Sequence, residues 1–321
     1  MAPAGPRTIA AAPSLDARSG FCVESFLLLL VCLALGMLIA RYAHPPIGLA
    51  PGLNWWLINI ALPAMVVQLV PRLHFDLHLL YLAMSQWLVF VAAWLLFAGL
   101  GRRLQWSRAR IGALTLVAGL GNTSFIGYPL IEALRGQEGL AYAVIADQGG
   151  CFIALAVGGI IVASVYSGQK PHPAQIVRRV LMFPAFVALV SGIIIGALGG
   201  WPPLADALLG RIAGTLTPIA LFVVGLRFRL HLGRDQISAV GGGLLYKLVL
   251  IPAVVLGIGA LLRMHGLPLT IAVLQAAMAP MVSATILADQ YKLDPPVANT
   301  LLGAGTLLAF ITVPLWNFVL P

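Results

Sequence analysis

Long apolar runs alternate with short polar breaks along most of this chain. In the first half they are Phe21–Ala40, about Gly52–Val70, Leu79–Leu100, Ile111–Ala133 and Leu140–Tyr166. In the second half they are about Met182–Leu198, Leu204–Phe228, Ala239–Leu262, Leu267–Asp289 and Val297–Val319. Each is close to the roughly 20 apolar residues that cross a bilayer as a helix. The pattern predicts an all-α membrane protein of about ten spans. Residues 1–20, rich in Ala and Pro, are expected to be a disordered tail. A cleaved signal is the alternative for Phe21–Ala40, but Ala40-Arg41-Tyr42-Ala43 is a poor small-residue cleavage site.

The fourth run does not suit a plain helix. Gly119, Gly121, Asn122, Thr123, Ser124 and Gly127 come just before Pro129. Glycine loosens a helix, and an internal proline removes a donor and clashes with the preceding turn. Backbone groups freed in this way survive at membrane depth only inside protein or beside water. The run is therefore expected to be a discontinuous helix. Span nine repeats the theme, with Ser283 and Thr285 following Pro280.

Prolines recur at matching places: Pro63 and Pro218 in spans two and seven, Pro129 and Pro280 in spans four and nine. With five spans per half, the second copy would be inserted upside down. This is the inverted-repeat plan of secondary transporters, in which matched broken helices mark a midplane site. The expected organisation is residues 21–166 as the first five-helix repeat, 167–179 as a cytoplasmic linker and 180–321 as the second repeat.

Composition agrees: 60% of residues are hydrophobic and 9% charged, against about 25% charged in soluble domains. The net charge of +9 does not signal nucleic acid, because the basic residues sit in short loops. Those loops set orientation. The loops on the side of Arg102, Arg103, Arg108 and Arg110 carry about twice the Lys and Arg of the others. That side is expected to be cytoplasmic and both termini extracytoplasmic, in the inner membrane if the host is a double-membraned bacterium. The three cysteines have no ligand spacing, so neither a metal nor another cofactor is expected. No H-E-x-x-H, G-x-S-x-G or P-loop text is present, and an enzyme is not expected.

GLGNTSFIGYPLIEAL in span four, ADQGG at 146–150, TPIALFVVGLRF in span seven and AAMAPMVSATILADQY in span nine resemble the auxin efflux carrier family. That family includes bacterial carriers proposed to move malonate or malate and the plant PIN-type auxin exporters. The resemblance runs over nearly the whole chain from Phe21. It implies a fold like that of bile acid–sodium symporters, with spans four and nine crossing in a mobile domain. Spans one, two, six and seven would form a scaffold, through which a homodimer is plausible. It also implies organic anions as substrates. The chain departs from the plant exporters in lacking their long loop and their Asn-Pro-Asn phrase. Gly121-Asn122-Thr123 stands in that region.

A broken helix exposes unpaired N–H groups at the start of its second half, and these favour an anion. Pro129, and Pro280 at the matching place, suit the first turn of such half-helices. Asn122, Thr123, Ser124, Tyr128, Ser283 and Thr285 could add hydrogen bonds to a substrate. For Asn122 and Thr123 the alternative is capping of the broken backbone, and for Ser283 and Thr285 it is helix packing. Asp147, inside span five, could carry a coupling H⁺ or hold the crossing together. Lys247, inside span eight, could neutralise a substrate carboxylate, pair with Asp147 or snorkel to the interface. H⁺ or Na⁺ is the possible coupling ion. The expected function is a carrier of small carboxylates such as malonate or malate, or auxin-like weak acids, by an elevator-like motion. A channel or a transporter-like sensor on the same fold is the rival.

Overall fold

The computed structural model describes residues 15–43, 45–73, 77–169, 173–228 and 236–320. Residues 1–14 of the expected tail and 170–172 of the expected linker lie outside the described residues. Every long element described is helical: α1 Leu15–Tyr42, α2 Leu49–Arg72, α3 Leu77–Arg103, α4 Arg108–Gly119 and α5 Gly127–Ser167. They are followed by α6 Pro173–Leu181, α7 Pro184–Ala197, α8 Pro203–Arg227 and α9 Ile237–Leu261. The last are α10 Gly266–Ala276, α11 Val282–Gln290 and α12 Pro295–Val319. Six of these, α2, α3, α5, α8, α9 and α12, are long and apolar enough to cross a membrane as described. The protein is a multi-pass membrane protein. Residues 15–20 of the expected tail belong to α1.

The polar breaks in the sequence become interruptions of helix. The fourth apolar run is split into α4 and the start of α5, joined by an extended and turned segment at 120–126. The ninth run is split into α10 and α11. α5 is two helices that meet at Gly136, whose φ of 68° and ψ of −167° are non-helical and lie outside the reach of most side chains. The missing proline donors are absorbed by wider turns. π-Helical turns at Leu57–Ala61 and Tyr246–Leu250 precede Pro63 and Pro252. π-Turns at Ala146–Cys151 and Ala154–Gly159 interrupt α5. Such turns concentrate at functional sites.

Two packed groups result. α1, α2, α7 and α8 lie against one another. α3, α4, α5, α9, α10, α11 and α12 form the other group. Arg108 donates to the Val165 carbonyl (2.7 Å) and Arg110 pairs with Asp294 (2.8 Å). These bonds gather the start of α4, the end of α5 and the α11–α12 junction on one face of the molecule. On the opposite face Arg72 pairs with Asp206 at 2.6 Å, tying α2 to α8.

α1 and α8 approach at Gly36 and Gly225. A Cβ on Gly36 would collide with the Phe222 carbonyl, and one on Gly225 with the Leu33 carbonyl. Small residues let membrane helices approach to backbone contact. Gly225→Ala is expected to lower stability by about 1–3 kcal/mol through overpacking, read as a lower thermal unfolding midpoint in detergent. Gly241→Ala, which meets open space, should leave the midpoint unchanged.

Candidate functional site

The two breaks meet. Gly121 and Pro280 form an isolated antiparallel bridge. Asn122 N–H donates to the Ala279 carbonyl at 2.7 Å, and Met281 N–H to the Leu120 carbonyl at 3.0 Å. The crossing is thus a two-rung piece of sheet inside a helical protein. It satisfies backbone groups that lipid would leave bare. Gln275 supports it, donating through Nε2 to the Thr123 (3.3 Å) and Ala143 (3.2 Å) carbonyls. Pro280 also packs on Gly305 of α12, where a Cβ would strike its ring.

The two prolines do not occupy matching places. Pro129 is the third residue of α5. Pro280 lies two residues before α11, in the extended crossing itself. A fixed φ near −65° and no N–H suit both a first turn and an extended segment, so the sequence could not separate them.

Asp147 is the centre of the polar cluster. It is 1% exposed and sits in the π-turn of α5. Tyr128 O–H donates to its Oδ2 at 2.6 Å, Gln148 Nε2 to the same atom at 2.6 Å, and Ser124 O–H to its Oδ1 at 3.3 Å. Thr123 O–H also donates to Oδ1. Charge-assisted bonds are the strong ones, and a buried carboxylate needs several of them. The expected pairing with Lys247 is not made. Lys247 is 0% exposed and its Nζ has no hydrogen-bond partner among the described residues. It stands close to Gly121, 3.0 Å from where a Cβ there would lie. It does not snorkel to a surface either.

A cavity of about 260 Å³ opens beside the crossing. Its polar lining includes Asn122, Ser124, Asp147, Gln148 and Ser283, and its apolar walls include Phe125, Phe152 and Phe183. Four of the residues expected from sequence (Asn122, Ser124, Asp147 and Ser283) are therefore placed together. Thr123, Tyr128 and Thr285 do not line the cavity. The Thr123 and Tyr128 hydroxyls are spent on Asp147, and Thr285 O–H donates to the Met281 carbonyl of its own helix at 3.3 Å. Asn122 fulfils the capping alternative as well: its Oδ1 accepts from Phe125 N–H at 3.1 Å, which leaves Nδ2 buried and unpartnered. α11 has Met281 at its N-cap with no side-chain hydrogen bond, and Met281, Val282 and Ser283 all line the cavity. Its first N–H groups therefore give that wall a partial positive charge.

Contacts join the two helix groups at the cavity and away from it. Phe152 of α5 stacks on Phe183, just before α7, with centroids 4.0 Å apart. Toward the opposite face, Thr217 of α8 donates to Glu132 of α5 at 3.1 Å. Sequence reading missed Gln148, Gln275 and the two phenylalanines as site residues. A polar amide in mid-span was the available signal for the glutamines, whereas nothing distinguishes Phe152 or Phe183 from lipid-facing aromatics.

The membrane transport protein family model matches residues 21–317. An uncharacterized transporter of Methanothermobacter thermautotrophicus is 27% identical over 221 residues, 68% of this chain and 71% of that protein. The uncharacterized transporter MJ1031 of Methanocaldococcus jannaschii is 23% identical over 215 residues, 66% of this chain and 69% of that one. The uncharacterized transporter YfdV of Escherichia coli is 24% identical over 313 residues, 93% and 98% of the two chains.

The two buried charges should respond oppositely to removal. Tyr128→Phe deletes one donor to a buried carboxylate and should cost about 1.5–3 kcal/mol. Lys247→Met replaces an unpartnered ammonium with an apolar chain of similar length and should stabilise by about 1–4 kcal/mol. Thermal unfolding of the purified variants in one detergent checks both. A lower midpoint for Lys247→Met would mean that the ammonium is paired in the working protein.

Proposed function

We propose that this chain, which belongs to the membrane transport protein family of auxin efflux carriers, is a secondary carrier of small organic anions. The observation that carries the reading is the cavity at the crossing of two broken helices. A carboxylate would be held there by Asn122 Nδ2 and the uncapped start of α11, with Ser124 and Ser283 beside it. The Asp147 carboxylate on the same wall is already held by four donors.

The two helix groups supply the motion. In this reading the chain is two inverted five-helix repeats. α1, α2, α7 and α8 are the scaffold, and the remaining spans slide as one elevator-like body. The cavity reaches Phe183 and Gln290, toward the face that holds Arg108 and Asp294. That face is taken as cytoplasmic, since it gathers the basic loops. Toward the other side the Thr217–Glu132 bond joins the two groups. The resting arrangement is thus open to the cytoplasm, with both termini outside, in the inner membrane if the host is a double-membraned bacterium. An inside-negative potential contributes about 2.3 kcal/mol per charge per 100 mV and drives a monoanion outward. Uptake of a dianion would need H⁺ or Na⁺. Malonate, malate and auxin-like weak acids are the substrate classes to try, and a homodimer would form through the scaffold. A channel would show a continuous polar stripe or charged ring, whereas polarity here is concentrated at one crossing.

Proteoliposomes holding the purified protein should show saturable uptake or release of radiolabelled malonate, malate or a monocarboxylate. pH, sodium and potential gradients imposed one at a time identify the coupling ion by which of them concentrates substrate. Asn122→Ala should reduce flux by at least about tenfold, the worth of one charge-assisted hydrogen bond, without loss of folded protein. Flux that never saturates and ignores Asn122 would make the protein a channel. Ligand-induced thermal stabilisation with no flux would make it a sensor.

A further inference from the structure

Two buried amides with opposite ends unbonded belong to residues that line the same cavity. Asn122 and Gln148 both line it, and each has one end already committed. Asn122 spends its oxygen on Phe125 N–H at 3.1 Å, and its Nδ2 is buried without a partner. Gln148 spends its nitrogen on Asp147 at 2.6 Å, and its Oε1 is buried; neither free end has a partner among the described residues. The side chain of Gln148 is 1% exposed.

The orientation of the Gln148 amide is not free. An ionised carboxylate only accepts hydrogen bonds, so it can take the NH₂ end and not the oxygen. Asp147 is in turn fixed by the hydroxyls of Thr123, Ser124 and Tyr128. These groups orient Gln148 so that its acceptor end, and not its donor end, is left unbonded. Gln148 is not needed to cap a helix or to hold the crossing. Asn122 and Gln275 carry those bonds.

A plain carboxylate satisfies Asn122 and leaves Gln148 Oε1 unmet, with two negative oxygens near a third. We infer that Gln148 is a specificity-determining residue, and that the preferred substrate is a carboxylic acid that also bears an O–H or N–H donor. The inference rests on the carrier reading above and narrows its substrate class. The donor group bonds to Gln148 Oε1 while the carboxylate bonds to Asn122 Nδ2. The apolar walls, among them Ile58, Leu62, Phe152 and Phe183, take the body of the molecule. A site built to hydrogen-bond a substrate group discriminates strongly against the analogue that lacks it, because its own polar atom is then stranded.

Matched pairs test this directly: malate and succinate, 3-phenyllactate and 3-phenylpropionate, 4-hydroxyphenylacetate and phenylacetate. Binding to the purified wild type is measured by competition and thermal shift, and flux is measured in proteoliposomes. In at least one pair the donor-bearing acid should bind about tenfold or more tightly than its partner. Gln148→Met should bring that pair to within about twofold by weakening the donor-bearing acid alone. Gln148→Asn, which keeps an amide, should recover part of the preference. A wild type with no preference in any pair overturns the inference, and so does a preference that survives in Gln148→Met. If flux is then still abolished by Asn122→Ala, the carrier reading stands without it. Failure of every acid to bind or move overturns both.

Discussion

A polypeptide crossing a bilayer cannot leave backbone N–H and C=O groups unpaired, and this protein breaks two of its helices at depth. Everything at the site follows from how those breaks are repaired. The Gly121–Pro280 bridge and its two rungs replace lost helical bonds with bonds between segments far apart in sequence. Gln275 takes two carbonyls that the bridge cannot reach. Only small or ring-constrained residues fit there: Gly121 leaves room for Lys247, and Gly305 leaves room for the Pro280 ring.

The repair leaves polar capacity over. The hydroxyls of Thr123, Ser124 and Tyr128 converge on Asp147 and make a buried charge tolerable. That cage in turn aligns Gln148. Asn122 Nδ2, Gln148 Oε1, Lys247 Nζ and Gln275 Oε1, all without a hydrogen-bond partner among the described residues, are the residue of this arrangement. Unmet buried polar groups cost stability, and proteins retain such costs where ligands relieve them. The cavity lies where residues of both helix groups meet, with Phe152 stacked on Phe183 across them.

Much of this was legible in the residues. The apolar runs fixed where helices lie, since their length and lack of charge admit little else in a bilayer. Gly119, Gly121 and Pro129 announced the break in the fourth run, and Pro280 the one in the ninth. A lone Asp147 and a lone Lys247 inside apolar runs stood out as candidates, because such residues are expensive there. The division of labour was not legible. Thr123 and Ser124 are adjacent and chemically alike, yet only Ser124 lines the cavity. Tyr128 reads as a substrate contact and proves to be a prop for Asp147.

By itself, then, the sequence determined a helical membrane protein with two polar interruptions and a small set of polar candidates, because hydrophobicity and backbone chemistry are local properties. The tertiary structure decided which candidates share one cavity, which amide end is free and that Asp147 and Lys247 stand apart. Those outcomes depend on partners supplied across the fold. Ala279 meets Asn122, Gln275 meets Thr123 and Thr217 meets Glu132, and no spacing along the chain encodes those meetings.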